Sequence, residues 1–144
     1  MFMLLRVLIL VVLTIFYFTI GEAALGTVRK AFPSQVNVSW LFDIRNDKYG
    51  NPRGKVFLLV DDRKVLILPK AAAQYRILDR AEYASRDVPA TAITACTGWW
   101  AGQGEDMYVA RRKKQLIVFI RYLDEGVSIP AYKRLKVIPL ALSN

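Results

Sequence analysis

Histidine is absent from all 144 residues, and cysteine occurs once, at Cys96. The first absence removes Ser-His-Asp and Cys-His hydrolases, in which an imidazole takes the proton of the nucleophile. It also removes His-ligated zinc, copper and haem sites, and the side chain that ordinarily exchanges protons near neutrality. Any catalyst built from this chain works with carboxylates, Lys, Tyr or Ser alone. The single cysteine excludes an intramolecular disulfide, so the fold is held by packing. Cys96 ends a largely apolar stretch, residues 92–96, and reads as a small buried hydrophobe. As a nucleophile it would lack the histidine that usually activates a thiol. There is no internal repeat and no low-complexity tract. The glycine spacing matches neither a dinucleotide-binding nor a P-loop fingerprint, and no cofactor is expected.

What the sequence does have is an apolar leader. Residues 7–20 form an uninterrupted run of 14 residues, preceded by Arg6 and followed by Gly21, Glu22, Ala23 and Ala24. That length fits the roughly 7–15 residues of a signal-peptide core and falls short of the roughly 20 that span a bilayer as a helix. Gly21 and Ala23 are small residues suited to a cleavage between Ala23 and Ala24. The expectation is therefore a signal peptide over 1–23, a linker over 24–34, a single β-rich domain over 35–144, and an exported location, periplasmic or extracellular. The alternative counts flanking residues into the span, lets Arg6 snorkel, and gives a retained single-pass anchor. Arg29 and Lys30 after the run balance Arg6 before it, so the orientation of such an anchor is open.

Lys and Arg number 21 against 12 Asp and Glu, a net charge of +9. Arg6 and Glu22 would leave together on cleavage, so the excess belongs to the domain. It favours an anionic membrane surface, an acidic glycan or an acidic protein, unless it serves only solubility. Export argues against nucleic acid.

Along the domain, Val36, Val38, Trp40 and Phe42 alternate with Asn37, Ser39 and Asp43, a strand with one wet face and Leu41 as the exception. Residues 46–54 form a long turn rich in Asn, Gly and Pro. Residues 55–60 and 64–68 form a hairpin through Asp61, Asp62 and Arg63; both runs are apolar on both faces, which calls for a second covering layer. Pro69 should stop the second strand. Residues 70–86 are the one stretch that suits a helix, with Ala72, Tyr75 and Leu78 at helical spacing, although 76–78 also fit a short strand. Strands follow over 92–100, 106–110, 115–123 and 134–140, with 115–123 the most apolar and hence internal. The fold class is mostly β: a small antiparallel sandwich or barrel with at most one helix, behind the N-terminal signal or anchor helix.

Two constellations stand out. Adjacent Trp99 and Trp100 on a strand point to opposite faces, so one of them covers a second surface, fills a groove or offers a stacking plane to a sugar or lipid; the alternative packs both indoles into a bulged hairpin end. Arg111, Arg112, Lys113 and Lys114 form a basic tip and, with Lys133, Arg134 and Lys136, the densest positive patch. Glu105, Asp106, Asp124 and Glu125 lie toward the other end of the same hairpin. Oxygen ligands suit calcium, but no EF-hand spacing is present and no metal is expected. The sequence thus points to a non-enzymatic, exported or membrane-anchored domain binding an anionic or carbohydrate-like partner through Trp99 or Trp100 and the basic tip. A membrane-anchored protein-interaction subunit and a secreted enzyme inhibitor are the alternatives.

Overall fold

The computed structural model describes residues 35–140; the leader, the Ala23–Ala24 junction and the 24–34 linker lie outside the described residues. Eight strands form two antiparallel sheets, and no α-helix is present among the described residues. The smaller sheet runs β1 (Val38–Asn46), β2 (Pro52–Val60), β3 (Arg63–Ala71). The larger runs β4 (Gln74–Ile77), β5 (Thr94–Trp100), β6 (Gln103–Arg112), β7 (Gln115–Asp124), β8 (Lys133–Pro139), each strand beside its sequence neighbour. The sheets face each other in a sandwich-like arrangement. β1 lies over β4 and β5, and β3 approaches β8, where Arg63 Nη2 donates to Pro139 O at 3.1 Å and Lys136 Nζ to Leu66 O at 3.0 Å.

The alternation of β1 places Trp40 in the core with Val38, Phe42 and Ile44 packed against it, and Leu41 half-buried on the other face. Across the inter-sheet gap Val56, Leu58 and Val60 meet Cys96, Met107, Val109, Leu116 and Val118, all fully buried. The outer face of the smaller sheet is less well covered than its sequence suggests. Phe57 and Leu59 are half-buried and Leu66 is exposed, with Lys64 Nζ lying 4.0 Å above the Phe57 ring.

Two expectations are corrected. Pro69 does not stop β3, which continues to Ala71. The register slips here, Val56 facing Leu68 while Gly54 faces Ala71, so the missing proline N–H falls at an irregularity of an edge strand, where no ladder bond is needed. The helix over 70–86 is instead the end of β3, the short strand β4 and two 3-10 turns, Arg80–Glu82 and Ala84–Arg86. Helix propensity yields to pairing with β5, where Leu78 N–H continues the ladder to Ala95 O at 2.9 Å.

Those turns and the chain up to Ala92 lie on the outer face of the larger sheet, where Leu78, Tyr83, Val88 and Ala92 bury a second apolar cluster with Ala95 and Tyr108. β7 lies between β6 and β8 and is covered on both faces over Leu116–Ile120, which accounts for its continuous apolar run; β6 occupies the middle of the sheet. At the margin of the outer cluster Thr97, Asp106 and Arg121 form one row across β5, β6 and β7. Asp106 accepts from Arg86 Nη1 at 2.8 Å and from Arg121 Nε and Nη2 at 3.2 and 3.0 Å. Arg121 also donates to Asp87 Oδ2 at 3.0 Å and to Arg86 O at 2.8 Å, and its guanidinium stacks 4.6 Å from the Tyr132 ring centre.

Two outcomes follow from this layer. Asp106→Ala would leave Arg121, whose side chain is 4% exposed, without the carboxylate it is buried against. The expected loss is about 3–5 kcal/mol, read as a lower urea midpoint at unchanged slope. Glu82 is held at a pKa of about 2, below the ordinary 4.5, first by the Arg76 guanidinium and then by the Asp79 N–H. Its contribution is complete above pH 4.5 and fades as pH falls through about 2. The Tm difference between the wild type and Glu82→Gln should therefore be largest above pH 4.5 and shrink on acidification toward about 2.

Candidate functional site

One end of the sandwich opens into a groove of about 490 Å³, lined by the β1–β2 loop, the β3–β4 connection, the β5–β6 hairpin and the end of β7. Its larger wall is a lattice set by strand register. Tyr75, Gly98, Glu105 and Tyr122 form one row across β4 to β7; Trp100, Gln103 and Asp124 form the next on the same face.

Gly98 makes the first row possible. A Cβ there would lie 2.4 Å from Tyr75 Cε1, so the tyrosine ring lies flat across the glycine. Its hydroxyl donates to Glu105 Oε1. Phe42 stacks on the same ring at 5.3 Å, and Trp40 on Phe42 at 6.5 Å, so an aromatic column runs from the core to Tyr75, which bonds the groove-lining Glu105. Burial holds the Glu105 carboxyl above its usual range while the Tyr75 hydroxyl pulls it back. Burial likewise pushes the Tyr75 phenol far up, so it stays a donor.

The opposite rim is the 47–51 loop. Asp47 Oδ1 accepts from Tyr49 N and Asn51 N at 2.8 and 2.9 Å, an Asx arrangement that orders the loop. Those bonds, the Asn51 N–H first, hold the Asp47 carboxyl below its usual range. Asn51 Oδ1 in turn receives a long bond, 3.4 Å, from Trp100 Nε1.

The two tryptophans point to opposite faces, and both are exposed, Trp99 by 44% and Trp100 by 38%. Trp100 stands on the groove. Trp99 lies on the outer face, its ring 2.7 Å from where a Cβ on Gly104 would be. The packed-indole alternative is thereby excluded. The hairpin after Trp100 turns through Ala101 at φ 49° and Gly102 at φ 81°. A left-handed alanine costs about 1–2 kcal/mol, strain placed beside the exposed indole.

The four acids separate. Glu105 and Asp124 line the groove, whereas Asp106 belongs to the buried arginine cluster on the opposite face. No group of three or more acids or cysteines suited to a metal occurs among the described residues. Cys96 is buried in the inter-sheet core, and burial raises its thiol pKa well above normal, the reverse of nucleophile activation.

Arg111, Arg112, Lys113 and Lys114 are far from the tryptophans. The turn itself is Lys113 and Lys114, with Arg111 and Arg112 still in β6. β6 runs from Gln103, opposite Trp100, to Arg112, so about 30 Å separates the two sets. The sequence names both sets as contact candidates; the strand places them at opposite ends. No protein-family model, curated protein or solved structure matches this chain.

Sequence reasoning missed Tyr75, assigned to a helix, and did not single out Tyr122 as a site residue. The available signal was the pair of isolated glycines, Gly98 and Gly104, inside strands, which marks close approach by another group. Tyr75→Phe should raise the Glu105 pKa further, because the lost hydroxyl bond is the one that lowers it. Carboxyl-resolved NMR titration of wild type and variant measures the direction.

Proposed function

We propose that this is a non-enzymatic binding domain that holds a neutral carbohydrate in the groove beside Trp100. The observation that carries the reading is two exposed aromatic rings, Trp100 and Tyr122, on one groove with polar groups between them. Aromatic faces take the apolar face of a sugar ring, and their edges leave room for hydroxyls. Glu105 and Asp124 offer acceptors, Arg53 offers donors, and Asn51 and Gln103 offer both. By strand spacing the backbones of residues 100 and 122 are roughly 12 Å apart, a span suited to two sugar units. The two carboxylates work against an acidic glycan, so the groove reading narrows the carbohydrate class to uncharged sugars.

The leader supports an exported or membrane-held setting for such a domain. No helix among the described residues is long and apolar enough to cross a membrane. A panel of neutral, amino and acidic oligosaccharides, titrated calorimetrically against the protein, tests the reading. Binding of a neutral member is expected, with Trp100→Ala and Tyr122→Ala each weakening it about tenfold and Trp99→Ala leaving it unchanged. Binding that survives loss of both groove aromatics, or no binding across the panel, overturns it.

A further inference from the structure

We infer that the end of the sandwich opposite the groove is a surface for an anionic phospholipid bilayer, on which the domain stands with its groove directed away. This inference does not rest on the carbohydrate reading. The β6–β7 turn is not alone at that end. Leu140 N–H donates to Lys114 O at 2.9 Å, and Arg63 reaches Pro139 O, which brings the β2–β3 turn beside the β6–β7 turn. Arg63, Lys64, Arg111, Arg112, Lys113 and Lys114 therefore gather there against two carboxylates, Asp61 and Asp62. Asp61 is already engaged, its Oδ1 accepting from Asn37 N at 3.0 Å. A shallow hollow of about 390 Å³ lies among Arg112, Lys113, Lys114 and Gln115, open to an anionic headgroup.

The second observation is where the chain comes in. Asp61 N–H donates to Asn37 O at 2.8 Å and Val38 pairs with Val60, so the described chain begins at the basic end. The preceding sequence carries Arg29, Lys30 and then, toward the N-terminus, the apolar run 7–20. The described chain thus begins at the face that has the most positive charge, and on the retained-anchor reading that is where the membrane segment leads in. The groove end has no such excess, with Asp47, Glu105, Asp124 and Glu125 against Arg45, Lys48, Arg53 and Lys70. One end is attracted to anionic lipid and the other is not, which fixes an orientation as well as an attraction. An acidic protein would satisfy the charge but not the place of chain entry.

Lysine acetylation read by mass spectrometry tests this on the full chain reconstituted in phosphatidylcholine vesicles, with and without phosphatidylglycerol. Each basic residue near an anionic surface is worth about fivefold in binding, so Lys113 should be protected by about that factor or more in the anionic vesicles only. High salt should abolish the protection, and Lys48 should react equally in both. The double variant Lys64→Ser with Arg112→Ser should reduce the protection of Lys113 while circular dichroism stays unchanged. Equal reactivity of Lys113 in both vesicles, protection of Lys48 to the same degree, or full protection of Lys113 in the double variant overturns the inference. Protection by an added acidic protein but not by anionic vesicles overturns it in favour of a protein partner.

Discussion

The pairing of Asp106 with Arg121 is the interaction on which the larger sheet depends. A carboxylate and a guanidinium this deeply buried are stable only when their remaining lone pairs and protons are used. The segment after β4 uses them: Arg86 brings a second guanidinium to Asp106, Asp87 a second carboxylate to Arg121, and the Arg86 carbonyl takes bonds from both Arg121 and Tyr132. Asp87 is in the left-handed region at φ 52°, the bend that aims both groups. The cluster therefore keeps a stretch with no α-helix or strand pinned over the outer face. That cover lets β6 and β7 be apolar on both sides, so the groove stands on strands supported from above and below.

Much of the strand pattern was legible because its cause is local. Alternation in β1 follows from one face meeting the core, and the double-sided run of β7 from two. Failures came where the deciding partner is distant in sequence. Residues 70–86 have the composition of a helix, and what overrules it is the edge of β5, some twenty residues on. Pro69 looks like a stop until the register slip beside Val56 shows that no bond is lost. The site was legible only in part for the same reason. Trp100 announces itself, whereas Tyr75 acquires its role from an absent side chain on a neighbouring strand, at Gly98.

Separation of charge from aromatic surface is the other feature that sequence proximity conceals. Trp100 and Arg112 are 12 positions apart, and a reading by neighbourhood joins them. The intervening strand is continuous, and an unbroken strand turns sequence distance into physical distance at about 3.4 Å per residue. The two ends consequently differ in chemistry, one a groove with exposed aromatic rings and the other a cluster of cations. The net charge of the domain is therefore unevenly spread, with cations in excess at one pole and near balance at the other.

Burial of Cys96 has a bearing on how the molecule can be observed. Its sulfur lies between the sheets beside Met107, kept protonated by its surroundings, so a folded molecule presents no thiol to reagents. Because the chain has no second cysteine, modification of a thiol counts molecules in which the two sheets have parted. The core therefore contains its own gauge of opening, and the rate of thiol labelling in native solvent reads the free energy that holds the sandwich closed.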